Sequence, residues 1–276
     1  MNRSYLFIPA SNAGMILSSM VLDADAIIFD LEDGVAFNEK ISARTLLQHS
    51  LDTLDFLDKT VYVRINNASS DFFLEDVICA NHPKVHGVVL PKAEIKSLEA
   101  CLKVLDPSKT ILCLIESALG VIQLPQLCQM SSQVKGLLLG GEDLSADCGV
   151  ERTQAGHEID YARKSLVMHA KAFNLMAIDT PFVDIEDHQG LKEEVKYVAS
   201  LGYDAKVAIN PRQVHVIHEA LRVDPLRLKE AKMIVEAFEK QRTQGVGVFN
   251  LNGKMIDEPV YLKAKHLIEK EERRTP

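Results

Sequence analysis

The chain has 276 residues, 47% of them hydrophobic and 25% charged, with a formal net charge of −8 at pH 7. That composition is ordinary for a globular protein, and no apolar run approaches the roughly 18 residues of a membrane-spanning helix. The acidic balance gives no general attraction to nucleic acid, although it is compatible with a local basic pocket for a small anion.

The opening MNRSYLFIPASN carries a short apolar run that meets Pro9, too short for a secretory leader, so the expected compartment is the cytoplasm. Five cysteines, at 79, 101, 113, 128 and 148, include no CxxC pair. Buried, reduced thiols are expected rather than a disulfide framework or a zinc knuckle.

Short apolar runs then recur at 5–8, 26–29, 61–65, 87–90, 111–115, 136–139, 175–178 and 205–209. Helical periodicity fills segments between or after them, at 39–51, 94–105, 153–173, 191–201 and 211–221, the last with Pro211 at a first-turn position. Continuous apolar strands alternating with amphipathic helices imply a parallel sheet covered by helices. Eight such units, with no GxGxxG turn after the first strand, predict an α/β fold of the (β/α)8 TIM-barrel type over residues 1–222. Residues 223–276 read as a C-terminal extension. It has a charged helix over about 225–243, a hairpin turned at Asn252-Gly253, and a final helix running into a charged tail. So small an appendage is expected to lack a core of its own and to lie on the barrel or on a neighbouring subunit.

Chemistry on such a barrel belongs at the C-terminal ends of the strands. There the sequence places Asp30, Glu32 and Asp33 after the second run, Arg64 and Asn66 on the third, Pro91-Lys92 after the fourth and Glu116 after the fifth. Gly140-Gly141-Glu142-Asp143 follow the sixth run and Asp179-Thr180 the seventh. Ionised carboxylates converging in a low-dielectric mouth raise one another's pKa unless a cation compensates them. Oxygen donors without His or Cys favour Mg²⁺ or Mn²⁺ over zinc. Glu116 and Asp143 suffice as direct ligands, with Asp30, Glu32 and Asp33 ordering the remaining waters. Asp33 beside Gly34 is equally readable as a turn residue, and Gly140-Gly141 as a tight turn or a close approach to ligand. Lys40 and Arg44, four apart on one helix, share a face suited to a phosphate or, alternatively, simply exposed.

Eight stretches in order resemble one family: RSYLFIPASN (3–12), DAIIFDLEDGV (25–35), VRIN (63–66), VVLPKAE (88–94), LIESALG (114–120), LLLGGEDLSAD (137–147), AINPRQV (208–214) and NGKMIDEPV (252–260). Together they are similar to the citrate lyase β-subunit (CitE-like) proteins of the HpcH/HpaI aldolase superfamily. The resemblance implies a TIM barrel with bound Mg²⁺, a homo-oligomer that is often trimeric, and cleavage or formation of a C–C bond in a 3-hydroxyacyl thioester. It implies Glu116 and Asp143 as metal ligands, with Glu32 and Asp33 in the water-mediated shell. By the same resemblance Arg64 binds the keto-acid oxygens, Lys40 and Arg44 contact the coenzyme A phosphates, and Asp257 is an acid inserted into a neighbouring subunit's site. Asp257 is also readable as a helix N-cap ahead of Pro259. Two departures, Ala10 in PASN and Cys148 after the metal acid, touch none of these residues.

The expected activity is a Mg²⁺-dependent lyase that splits a malyl, citramalyl or citryl thioester into an acetyl thioester and a 2-keto acid. The carrier is either coenzyme A or, within a citrate lyase complex, an acyl-carrier protein. A carrier-independent pyruvate-type aldolase and a non-catalytic scaffold subunit are the readings from other classes.

Overall fold

The computed structural model describes residues 2–272. The charged tail at 273–276 lies outside the described residues. The chain divides into two compact units, one of Asn2–Ala220 and one beginning at Leu221.

The first unit runs β1 (Ser4–Pro9), α1 (Ala13–Ser19), β2 (Ala26–Asp30), α2 (Lys40–Thr53), β3 (Thr60–Arg64), α3 (Phe73–Ala80), β4 (Gly87–Leu90), α4 (Ile95–Leu102) and β5 (Thr110–Ile115). It continues with α5 (Ala118–Ile122), α6 (Leu124–Gln129), β6 (Val134–Leu139), α7 (Gly141–Asp147), α8 (Asp160–Ala172), β7 (Met176–Asp179), α9 (His188–Leu201), β8 (Ala205–Ala208) and α10 (Pro211–Leu221). The eight strands close in sequence order into a parallel barrel, β8 pairing back onto β1. This is the (β/α)8 architecture that the alternation of apolar runs and helical segments predicts.

Strand residues alternate between the barrel interior and the helix layer. Tyr5, Ile28, Tyr62, Val89, Leu112, Leu138, Ile178 and Val207 form the buried interior cluster. Two positions further along the same face stand Asp30 and Arg64, which carry that face's alternation to the C-terminal mouth. The opposite parity faces the helices, and there two charged strand residues need partners. Asp179 on β7 and Lys206 on β8 are fully buried and pair at 2.7 Å. Arg163 of α8 reaches Asp179 at 3.0 Å, and Glu194 of α9 reaches Lys206 at 2.7 Å. With two cations against two carboxylates, the group carries no uncompensated buried charge.

Local signals set the helix ends. Asn12, Ser117 and Asp187 cap α1, α5 and α9 by accepting amide N–H bonds, and Gly202 ends α9 at φ 110°. The helix expected over 153–173 begins only at Asp160. Glu158 is held by Arg152 and Thr153, and Gly156 adopts φ 68°, so the chain turns there before it coils.

The second unit contains α11 (Pro225–Arg242), β9 (Phe249–Leu251), β10 (Lys254–Ile256) and α12 (Glu258–Glu272). The hairpin turns at Asn252 (φ 51°) and Gly253 (φ 83°), the left-handed pair that a tight turn requires. The expectation that this segment has no core is corrected. Phe238, Ile256 and Tyr261 are buried together with Phe249, Leu251 and Val260 around them, and the Phe238 and Tyr261 rings stack at 4.5 Å.

Candidate active site

Asp30 and Arg64 are register partners on neighbouring strands. Arg64 Nε and Nη2 donate to the two Asp30 oxygens at 2.7 and 2.6 Å, a bidentate pair. Each Asp30 oxygen also takes a backbone amide, from Glu32 at 2.9 Å and Gly34 at 2.8 Å. Gly34 is required by this approach, since a Cβ there would stand 2.4 Å from Asp30 Oδ2. The expected role of Asp30 in ordering metal-bound water is therefore corrected. Its acceptor capacity is spent on the arginine and on its own loop.

Phe7 underlies the guanidinium, 4.8 Å from ring centroid to the Arg64 carbon. Burial works against the charge of Arg64, but the Asp30 hydrogen bonds and charge outweigh it and hold the pKa above its ordinary value. The third nitrogen, Nη1, lies 3.1 Å from Glu32 Oε2 and 3.8 Å from Asp33 Oδ2. That contact brings charge but no hydrogen bond, and Glu32 Oε2 remains a buried acceptor without a donor. Burial pushes the Glu32 carboxyl up to about 8, with Arg64 opposing and the charges of Glu116, Asp33 and Asp30 adding to the rise. The Asp33 side chain is 68% exposed.

Glu116, immediately past β5, is buried and accepts the Lys92 amide at 2.7 Å. Burial pushes its carboxyl up to about 7; the Lys92 amide lowers it and the Asp143 charge raises it. Gly140 makes this packing possible, because a Cβ there would stand 2.6 Å from Glu116 Cβ and 2.8 Å from Oε2. At Gly141 a Cβ would meet Thr180 Oγ1 at 2.9 Å, and that hydroxyl accepts the Gly141 amide. The paired glycines thus serve close packing against two site residues.

Glu116, Asp143 and Arg64 border one cavity of about 90 Å³, together with Phe7, Thr180 and Pro181. Phe7 carried no signal in the sequence beyond its place in an apolar run. Thr180 did stand in the strand-end inventory, without a role. Among the described residues no three His, Cys, Asp or Glu side chains group as a complete metal cage. Two carboxylates suit a hard divalent cation that keeps water and substrate in its other positions. A buried Glu116 with a raised pKa and the unsatisfied Glu32 oxygen fit such a cation, which would restore both acids to the ionised form.

Lys40 and Arg44 do not form the expected phosphate-binding face. Lys40 is buried, and its ammonium donates to the Leu31 and Glu32 carbonyls at 2.9 and 2.5 Å. Arg44 pairs at 2.8 Å with buried Asp76, whose other oxygen accepts both the amide and the side chain of Asn66. Both cations brace the loops after β2 and β3. Asp257 lies in the second unit, where Oδ1 accepts the Val260 amide at 3.1 Å, the N-cap arrangement of α12. Cys148 is exposed, a correction to the expectation that all five thiols are buried.

An eight-stranded parallel barrel whose C-terminal mouth gathers an arginine clamp and three cavity-lining carboxylates, Glu116, Glu142 and Asp143, defines an enzyme-like (β/α)8 protein with an oxygen-donor site. The family model "HpcH/HpaI aldolase/citrate lyase" matches residues 3–211, and the chain belongs to this family. It is 36% identical to the citrate lyase subunit beta of Haemophilus influenzae, with 98% of this chain and 97% of that protein covered. It is 30% identical to the human mitochondrial citramalyl-CoA lyase, covering 96% and 84% respectively. Among solved structures, CitE from Mycobacterium tuberculosis in complex with magnesium, acetoacetate and coenzyme A superposes with a TM-score of 0.83. That pair is 29% identical over 98% of this chain and 97% of the other.

Proposed function

We propose that the chain is a Mg²⁺-dependent carbon–carbon lyase acting on a 3-hydroxyacyl thioester of the malyl, citramalyl or citryl type. The observation that carries this reading is the convergence of Glu116, Asp143 and Arg64, from three different strand ends, on one cavity at the barrel mouth. Family membership and a relative solved with magnesium and coenzyme A support it.

Glu116 and Asp143 would hold the ion, which when bound supplies Lewis acidity toward the hydroxyl and carboxylate of the substrate. Arg64, fixed by Asp30 and stacked on Phe7, offers Nη1 to the same oxygens in a preset orientation. The hydroxyl proton passes to solvent as the adjacent C–C bond breaks, and the electron pair of that bond leaves with the acyl half, which releases the 2-keto acid and a thioester enolate. Protonation of the enolate carbon completes the acetyl thioester. Asp257 is the proposed proton source, reaching the site from a neighbouring copy in a homo-oligomer. Glu32, buried with one unsatisfied oxygen, stays beside Arg64 as part of the water-mediated shell.

The carrier is coenzyme A or an acyl-carrier protein, and the 36% identity to a citrate lyase β-subunit specifically favours testing the second. The purified chain with Mg²⁺ is to be given malyl-, citramalyl- and citryl-CoA and citryl-acyl-carrier protein. Release of an acetyl thioester and a 2-keto acid from one of them supports the proposal and names the carrier. Turnover of free hydroxy-keto acids alone would replace it with a carrier-independent aldolase.

A further inference from the structure

Two buried donors without acceptors meet where the reaction cavity adjoins a second one. This second cavity, of about 220 Å³, is walled by the segments that follow β6 and β7 and shares Glu142 and Pro181 with the first. Its wall carries Arg152, from the stretch between α7 and α8, whose Nε is buried and has no partner. Thr180, fully buried just past β7, lines the reaction cavity, and its Oγ1 accepts the Gly141 amide at 2.9 Å. A threonine hydroxyl also has one proton to donate, and no acceptor takes it among the described residues. Both donors flank Gly141: a Cβ there would lie 2.9 Å from Thr180 Oγ1 and 3.4 Å from Arg152 Nε. Unpaired donors of this kind are costly in a protein interior.

Acids surround Arg152, but most of them are committed elsewhere. Glu158 holds Nη1 at 2.7 Å. Glu194, 3.8 Å from Nη2, is held at 3.0 Å by Arg163 and at 2.7 Å by Lys206. Asp184 accepts the Glu186 and Asp187 amides of its own loop. Glu142 makes no hydrogen bond among the described residues. Its Oε1 stands 3.5 Å from Arg152 Nε, and its side chain is 48% exposed, free to turn outward before an incoming anion.

The strands β3 and β7 face each other across the eight-stranded ring. Arg64 therefore reaches the substrate from one side, and Thr180 meets what the carbinol carbon carries on the other. The three candidate acyl groups differ only in that substituent, which is hydrogen in malyl, methyl in citramalyl and carboxymethyl in citryl. Of these, the carboxymethyl group alone brings an acceptor to two waiting donors, and a site built to hydrogen-bond a group discriminates against analogues that lack it.

We propose that Thr180 and Arg152 are specificity-determining residues, the hydroxyl and Nε together receiving the carboxylate of a carboxymethyl substituent, so that the site selects a 2-keto acid half with a second carboxylate. The proposal rests on the functional reading above and names the acyl group within it.

The test is calorimetric binding of oxaloacetate and pyruvate to the full chain in Mg²⁺, with the ratio of the two dissociation constants as the readout. The wild type is expected to bind oxaloacetate about tenfold or more tightly than pyruvate, the worth of a hydrogen bond to a charged group. Thr180→Val keeps the outline and removes the proton donor, and Arg152→Gln removes the charge. Both should bring the ratio toward one, while Thr180→Ser, which keeps the hydroxyl, should retain the wild-type ratio. Arg152→Gln also breaks the Glu158 pair, so the fold of each variant is checked by circular dichroism, and Thr180→Val carries the test if the arginine variant does not fold. A wild-type ratio near one, or a wild-type ratio in either folded variant, overturns the proposal. So does an equal loss of both acids in the variants, which would make the two residues supports for the chain around Gly141 and nothing more. If the wild-type chain bound neither acid, the functional reading itself would fail, a result distinct from a change confined to the ratio.

Discussion

Arg64 and Asp30 sit side by side in the barrel register, and the arginine holds both carboxylate oxygens while each of those also accepts a backbone amide. The pair therefore orients Arg64 toward the cavity and fixes the loop after β2 in one arrangement. Asp30→Asn keeps the shape and removes the charge, leaving a buried guanidinium without its counter-ion. A stability loss of about 3 kcal/mol in urea unfolding is expected, as for other broken buried pairs. Arg64→Lys keeps the charge but loses the planar fork, so turnover should fall by about tenfold or more with a smaller stability change. Equal effects of the two substitutions on stability would contradict this division of roles.

The glycine before α7 gives a second, steric prediction. In Gly140→Ala the new methyl would meet Glu116 Cβ at 2.6 Å, and something must shift. Overpacking of this kind costs about 1–3 kcal/mol, and here the displaced group is a proposed metal ligand. Weaker Mg²⁺ binding should accompany the loss of stability. Gly247→Ala is the control, since nothing lies within 4 Å of a Cβ there. Its Mg²⁺ affinity should match the wild type.

How far these features could be read in advance depended on the length scale of the signal. Alternating apolar runs and helices carry the barrel, because burial on both faces of a parallel strand leaves an unbroken hydrophobic signature. That Glu116 and Asp143 line one cavity follows from the strand-end inventory, Glu116 standing directly past the fifth run and Asp143 in the first turn of the helix after the sixth. Lys40 and Arg44 were misjudged for a physical reason. Helical spacing says that two residues share a face but not what covers it, and their partners are carbonyls in a loop and an aspartate 32 positions away. The pairing of Arg64 with Asp30 and the aromatic ring beneath Arg64 likewise arise from how the strands come together, which no local pattern encodes.

At the first turn of the barrel Asp25 offers a pH test. Burial would raise its pKa, but hydrogen bonds from His218 and Arg3 outweigh burial and hold it well below the usual carboxylate range. A depressed folded-state pKa gives stabilisation that is complete above the unfolded value, about 4, and fades as pH falls below it. Asp25→Asn should therefore lower the urea midpoint at pH 7, and the gap from wild type should narrow at pH 3. A gap that stays constant between the two would contradict the ion-pair origin.

Thiol chemistry separates Cys148 from the rest. Burial pushes the Cys79 and Cys128 thiols up to about 11 and Cys101 up to about 12, and it raises Cys113 as well. Since the thiolate is the reactive form, iodoacetamide on the native chain should modify Cys148 alone, the others following only in denaturant. Mass spectrometry of the peptides reads this directly. Native labelling of Cys113 would show that the barrel wall opens readily.

Central to the account is the claim that the carboxylates past β5 and β6 hold the metal on which thioester cleavage depends. The most direct measurement is the Mg²⁺ dependence of acetyl-thioester release by the wild-type chain and by Glu116→Gln, with EDTA as the zero point. Wild-type turnover should vanish in EDTA and return with Mg²⁺, while Glu116→Gln should need about tenfold more Mg²⁺ or stay inactive. Turnover that survives EDTA, or a Glu116→Gln variant with an unchanged Mg²⁺ requirement, would contradict the account.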